Sequence, residues 1–146
     1  MLKHVLPIAL VVLLSGCGDR PMAPEFEHVV SLGFLRWAPD APSAEVPSLV
    51  QVNQYFRVTV HTQSKDACAR KGHTSLTVTG LRALVTPYDT ILVPRRGSAC
   101  SDLSENFEHE VEIVFTHSGN AVVEVVGLQP GSTDTIRHEF PITITN

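Results

Sequence analysis

The sequence lacks the features that mark several large functional classes. Basic residues are not in excess, since 11 Lys and Arg stand against 15 Asp and Glu and the net charge is -4. Nucleic acids and anionic headgroups both need a basic patch, so nucleic acid is excluded as a partner. No cysteine lies in a C-x-x-C motif, and there is neither a G-x-S-x-G elbow nor a glycine-rich phosphate loop. We therefore predict no enzymatic activity and no cofactor.

A metal site is also poorly supported by the sequence. His109-Glu110 begins a zinc-protease motif, but Ile113 occupies the position of its second histidine. Histidine is nevertheless mildly enriched, and His109 and His138 fall on predicted apolar faces of strands. The favoured interpretation is that the histidines lie in the core and on the surface without a metal. A zinc or copper site that uses His109 or His138 with a neighbour is the alternative. The histidines beyond the first 16 residues are His28, His61, His73, His109, His117 and His138.

Long apolar runs are absent as well, apart from residues 5–14 near the start. This run is too short to span a bilayer as a helix, which needs about 20 apolar residues. It follows Lys3 and His4 and precedes Leu14-Ser15-Gly16-Cys17, the arrangement of an export signal. Those four residues resemble the lipobox of bacterial lipoproteins. The resemblance implies that residues 1–16 are a removed signal peptide and that Cys17 carries lipid at the cell envelope.

Residues 17–45 have the composition of a proline-rich tether, with four prolines and a fifth just beyond it at position 47. Within it, the segment from Phe26 to Trp37 is too apolar for a free linker. We expect it to dock on the following domain as a strand or short segment. The alternative is an exposed aromatic patch that meets a partner or the membrane interface, and the exposure of Trp37 would distinguish the two.

Period-two alternation predicts an all-β domain over residues 46–146, with about seven strands and no helix. It is clearest over residues 55–62, where Phe56, Val58 and Val60 share one face. Gly80 interrupts the next apolar pattern and predicts a bulge or a tight bend. Pro87-Tyr88-Asp89 predicts a turn, and Ser118-Gly119-Asn120 predicts a hairpin turn.

These segments are similar to the immunoglobulin-like and fibronectin-like domains of bacterial surface proteins. The similarity is greatest in the predicted hairpin over residues 109–128 and in the closing strand that ends Ile142-Thr143-Ile144. It implies an antiparallel β-sandwich. Two positions depart from the antibody pattern, because Trp37 precedes both later cysteines and Ser98 stands two residues before Cys100. A disulfide is therefore expected to tie loops at one end and not to join the two sheets across the core.

Cys68 and Cys100 remain as a pair once Cys17 is assigned to lipid. An exported protein meets an oxidising compartment, so we predict a disulfide between them. Its loop of about 32 residues corresponds to roughly 3.5 to 4 kcal/mol in the chain-entropy model. The bridge would bring together two short basic segments that flank the cysteines. Their residues are candidate contacts for an acidic ligand or polymer: Arg70, Lys71, Arg95 and Arg96.

The sequence thus predicts a membrane-anchored envelope lipoprotein whose single domain is a non-catalytic binding or structural module. Its expected partners are the membrane, through the amino-terminal lipid, and an envelope protein or polymer. A periplasmic zinc- or copper-binding protein and an enzyme inhibitor are the alternatives that remain open.

Overall fold

The computed structural model describes residues 26–36, 41–95 and 99–146. The signal segment, Cys17, Trp37 and Arg96 lie outside the described residues. Within the described ranges no helix is long and apolar enough to cross a membrane. Those ranges form nine β-strands: β1 (Phe26–Leu32), β2 (Ala44–Glu45), β3 (Leu49–Gln51), β4 (Phe56–Gln63), β5 (Ala69–Thr79), β6 (Arg82–Pro94), β7 (Asn106–Ile113), β8 (Gly119–Leu128) and β9 (Thr135–Thr145).

The strands form two sheets. The larger sheet has the order β1-β6-β8-β9-β3, with β5 on the opposite edge of β6, and the smaller sheet has the order β2-β4-β7. Alternation along β4 buries Val58 and Val60 and leaves Arg57 exposed, as a strand with one covered face requires. Val85 and Val123 of the larger sheet join them in one apolar core. The all-β sandwich predicted from the sequence is confirmed.

Two details differ from the expected antiparallel arrangement of about seven strands. There are nine strands in the described residues, and two of them, β2 and β3, are only two and three residues long. The larger sheet is mixed, because β6 runs parallel to β8 and β3 runs parallel to β9. Parallel neighbours are joined by long connections, so local turn residues do not reveal them.

The predicted hairpin over residues 109–128 is wrong. β7 pairs with β4 along its whole length in the smaller sheet, whereas β8 pairs with β9 in the larger sheet. Ser118-Gly119-Asn120 therefore lies where the chain crosses between sheets. The physical reason is that β7 finds its complementary strand in β4, which is distant in sequence.

The turn predicted at Pro87-Tyr88-Asp89 is also wrong, because all three residues lie inside β6. One edge of β6 pairs with β8 up to Val85 and with β1 from Tyr88 onward. Pro87 sits in the gap between these partners, and its carbonyl accepts a hydrogen bond from Gly33 on that edge. The missing amide hydrogen of proline therefore costs no ladder bond.

The apolar segment expected to dock on the domain does so as β1, which pairs with β6 from Phe26 to Leu32. The following residues cross to the smaller sheet, where Leu35 forms a bridge with Thr62. Leu35 is completely buried in the core, and Ala44 is buried beside it. The folded unit of the described residues thus includes positions upstream of residue 46.

Gly80 forms the tight bend that its interruption of the pattern predicts. Thr79 of β5 pairs with Arg82 of β6, so Gly80 and Leu81 are the two loop residues of a hairpin. Gly80 has a φ of 58°. This left-handed conformation is readily adopted by glycine and strained for most other residues.

Replacing Leu35 by alanine tests whether the amino-terminal segment belongs to the core. We expect Leu35→Ala to lower the unfolding free energy by about 2 to 5 kcal/mol, because it opens a cavity among fully buried side chains. Urea denaturation measures the change. The matched control Leu103→Ala, at a residue that is 72% exposed, should change stability by less than about 0.5 kcal/mol. Equal effects for the two variants would contradict this placement.

Candidate functional site

Two adjacent cavities with four lining residues in common form a cleft at the end of β4. The outer cavity has a volume of about 590 Å³ and extends to the β8–β9 turn at residues 130–133. The inner chamber has a volume of about 160 Å³. Phe34, Gln63, Ser64 and Lys65 line both, so they mark the junction. The outer volume is within the range of ligand pockets, which is roughly 300 to 1,000 Å³.

Hydrogen bonds hold the wall of the cleft in place. The carbonyl of Phe34 accepts from the amide of Gln63 at 2.8 Å, which joins the segment after β1 to the end of β4. Ser64 is tied twice to Glu105, since its amide donates to the Glu105 carbonyl and its hydroxyl accepts from the Glu105 amide at 2.6 Å. The Gln63 side chain donates to Ser104. The junction is therefore a preformed part of the fold.

The inner chamber combines apolar walls with one buried carboxylate. Leu32, Ala69 and Ile91 line the chamber and not the outer cavity, and so does Asp89. The side chain of Asp89 is only 8% exposed. Because Asp89 is buried and lines the smaller cavity alone, it belongs to the deeper part of the cleft.

The backbone at Gly33 packs directly against this carboxylate. A Cβ atom at position 33 would lie 2.6 Å from Cγ2 of Thr62 and 2.8 Å from Oδ2 of Asp89. Both separations are shorter than ordinary van der Waals contact, so only glycine allows the chain to pass here. The Gly33 carbonyl also accepts from Leu128, which fixes this passage against β8.

Asp89 is held by a buried imidazole. Nε2 of His109 lies 3.0 Å from Oδ1 of Asp89 and 3.2 Å from Oγ1 of Thr62, and Nδ1 lies 3.0 Å from Oγ1 of Thr74. The carboxylate oxygen accepts in this contact, which assigns a ring proton to Nε2, and Nε2 donates the hydrogen bond to Asp89. His109 is completely buried. We call these four residues the His109 network; it joins β4 and β7 of the smaller sheet to β5 and β6 of the larger.

The histidines do not converge on a common point. His109 lies inside the network described above, and Nδ1 of His138 lies 2.6 Å from the hydroxyl of Ser43. Within the described ranges, one group of three metal-type ligands lies within reach of a single ion: Asp66, Cys68 and Cys100. Its two sulfur atoms are joined to each other, so they are not available as thiolates.

The disulfide between Cys68 and Cys100 is confirmed, with the two Cα atoms 5.4 Å apart. It joins the start of β5 to the loop after β6, at the end of the sandwich where the cleft lies. The amide of Ala67 donates to the carbonyl of Ser101 nearby, and the amide of Leu92 donates to the carbonyl of Cys68. The bridge thus anchors the two loops beside the inner chamber.

The three described residues among the predicted basic ligand contacts, Arg70, Lys71 and Arg95, are not brought into one cluster. Arg70 and Lys71 lie within β5 opposite Thr90 and Asp89, and the Arg70 guanidinium donates to two carbonyls next to it. Arg95 follows the end of β6, about 16 Å along the strand from Thr90 at 3.3 Å per residue. Arg70, Lys71 and Arg95 are all absent from the walls of the two cavities.

Sequence reasoning missed the cleft and its buried carboxylate. The cleft wall comes from β1, β4, β5, β6 and the β8–β9 turn, which are far apart in the chain. Asp89 was assigned to a turn because Pro87 precedes it. One signal was available: Asp89 continues the period-two phase of the buried positions of β6, which are Ala83, Val85 and Pro87.

Comparison of the chain with protein-family models, curated proteins and solved structures finds no match to any of them. The resemblances to the lipobox and to immunoglobulin-like domains stay predictions.

Removing the imidazole tests the His109 network. We expect His109→Leu to lower the unfolding free energy by about 3 to 5 kcal/mol, because Asp89 is then buried without its donor. The exposed residue His117 provides a matched control, and His117→Leu should change stability by less than about 0.5 kcal/mol. Chemical denaturation at neutral pH measures both.

A double variant separates the contact from simple loss of packing. We expect His109→Leu combined with Asp89→Leu to be at least about 1 kcal/mol more stable than the sum of the two single changes implies, because no unpaired carboxylate remains. Strictly additive costs would show that the two side chains act independently.

Proposed function

We propose that this protein is a lipid-anchored envelope lipoprotein whose sandwich is a non-catalytic binding module, with the ligand held in the cleft. The observation that carries the proposal is the cleft itself, an open outer cavity beside a smaller chamber with a buried carboxylate. Apolar walls with a few fixed polar groups are the usual composition of a ligand site.

The arrangement of the sequence supports the anchor. Cys17 precedes the first residue of β1, Phe26, by nine positions. An extended chain covers at most about 3.6 Å per residue, so the linking segment spans no more than about 32 Å. Lipid on Cys17 would therefore hold the sandwich close to the membrane surface. Two or three acyl chains give effectively permanent attachment, since each buried methylene contributes about 0.8 kcal/mol.

The burial of His109 supports binding over catalysis. A hydroxyl, an imidazole and a carboxylate in a row can activate a nucleophile, and Thr74, His109 and Asp89 form such a row. In that mechanism the imidazole must exchange protons with a bound substrate. The ring of His109 is fully enclosed by the two sheets. Its hydrogen bonds are therefore better explained by support of the fold and orientation of Asp89.

The mass of the mature protein tests the anchor. In protein taken from its native membrane fraction, we expect a chain that begins at Cys17 and carries acyl groups, because the lipobox directs both steps. Intact-mass spectrometry measures this. The variant Cys17→Ser should be unacylated and leave the membrane fraction. An unacylated wild-type chain would contradict the anchor.

Site-specific cross-linking in cells tests the cleft. A photoreactive amino acid replaces Thr133, an exposed residue at the rim of the outer cavity, or Thr79, an exposed residue at the far end of β5. Ala69 lines the chamber, and Thr79 lies about 33 Å further along the same strand. We expect discrete adducts from position 133 and none from position 79. Equal labelling from both, or none from either, would contradict a binding role for the cleft.

A further inference from the structure

Asp89 has one hydrogen-bond acceptor that the fold does not use. Oδ1 accepts from His109, and no described residue forms a hydrogen bond with Oδ2. A carboxylate that is more than nine-tenths buried is stabilised when its oxygens find donors. Oδ2 is not fully enclosed, so water or a guest can reach it. Because Asp89 lines the inner chamber, a group that enters the chamber can donate to it.

The walls of the chamber are suited to an aliphatic stem. Leu32, Ala69 and Ile91 surround the space next to Asp89, and Phe34 stands at the junction with the outer cavity. The chamber volume of about 160 Å³ equals that of about five water molecules at roughly 30 Å³ each. A chain of four methylene groups with a polar head is a guest of that size.

The charges favour a cationic head. Two carboxylates, Asp66 and Asp89, line the chamber against one ammonium group, that of Lys65. Each carboxylate has one oxygen in a hydrogen bond, Asp66 with the amide of Cys68 and Asp89 with His109. Asp89 is the more buried of the two and is therefore the deeper acceptor. The chain as a whole carries a charge of -4. Anionic groups are therefore repelled and cationic ones attracted.

We propose that the inner chamber binds the side chain of a lysine or arginine residue of a protein partner, with Oδ2 of Asp89 accepting from its cationic head. The inference rests on the cleft of the proposed function and specifies what the cleft binds. The aliphatic stem lies between Leu32 and Ile91, and the main chain of the partner lies in the outer cavity beside Phe34. A charge-assisted hydrogen bond in a water-poor chamber is strong, so one such side chain can anchor a partner.

Peptide probes test this directly. The mature lipoprotein in nonionic detergent is titrated with N-acetyl-glycyl-lysyl-glycine amide, with the same peptide carrying norleucine, and with one carrying 6-hydroxynorleucine. The norleucine peptide lacks the head group, and the hydroxynorleucine peptide has a neutral one. Changes in the backbone amide NMR signals give each Kd. We expect the lysine peptide to bind at least tenfold more tightly than either neutral peptide, and to weaken as NaCl rises from 0.05 to 0.5 M.

Variants assign the effect to Asp89. Asp89→Asn keeps an oxygen that can accept from His109 but removes the charge, and it should weaken lysine-peptide binding at least tenfold. Ala69 forms none of the hydrogen bonds of the His109 network, and Ala69→Leu should fill the chamber and weaken binding as much. The exposed carboxylate of Asp134 lies outside both cavity walls, so Asp134→Asn should leave the Kd unchanged.

Each other outcome overturns the inference in a recognisable way. Equal affinity for the hydroxynorleucine peptide would show that a neutral hydroxyl fills the chamber. Equal affinity for free n-butylammonium would show that a small amine is the guest and a protein partner is not needed. Absence of binding, or binding unaffected by both Asp89→Asn and Ala69→Leu, would remove the chamber as a cation site. Cross-linking adducts at position 133 together with any of these results would leave the binding role of the cleft standing.

Discussion

The junction of the two sheets depends on a buried polar contact as well as on the apolar core. His109 projects from the smaller sheet and bonds to Asp89 and Thr74 of the larger one. An imidazole and a carboxylate both lose much solvation on burial, so they are stable in the interior only together. A contact of this kind also fixes how the sheets are placed, because hydrogen bonds are directional whereas apolar packing tolerates small shifts.

The same contact sets the chemistry of the cleft. His109 occupies one oxygen of Asp89 and thereby orients the carboxylate, so that the other oxygen remains for the guest that we propose. Gly33 passes so close to this carboxylate that no side chain fits there. Further out, the disulfide between Cys68 and Cys100 holds the loops beside the chamber. The core contact, the segment that contains Gly33 and the disulfide therefore all lie at one end of the sandwich.

Local patterns in the sequence predicted the parts of the fold that local forces decide. The alternation of Phe56, Val58 and Val60 gave β4, and the interruption at Gly80 gave a tight bend. His109 was expected on the apolar face of a strand, and it lies on the buried face of β7, which is an amphipathic strand. The sequence also predicted the disulfide, because the hypothesis of an exported chain with lipid on Cys17 leaves Cys68 and Cys100 as the one possible pair.

The failures arose where partners distant in the chain decide the structure. Pro87 is a turn former in isolation, but here it fills a gap between two strand partners. Ser118-Gly119-Asn120 has hairpin composition, but β7 pairs with β4, which packs its apolar face into the core. Five separate elements form the cleft. The one signal in the sequence was that Asp89 continues the period-two pattern of buried positions along β6. Arg70, Lys71 and Arg95 were grouped by their nearness to the cysteines, which is a weaker constraint than strand register.

The most direct test of the central claim is a long-range ¹H–¹⁵N spectrum of the histidine rings at neutral pH. We predict that the Nε2 proton of His109 is observed, exchanges slowly with water, and is lost as a slow signal in the variant Asp89→Leu. This result would place the imidazole between the sheets as the donor to Asp89. A His109 ring whose Nε2 is unprotonated, or whose proton exchanges as fast as that of the exposed His117, would contradict the account.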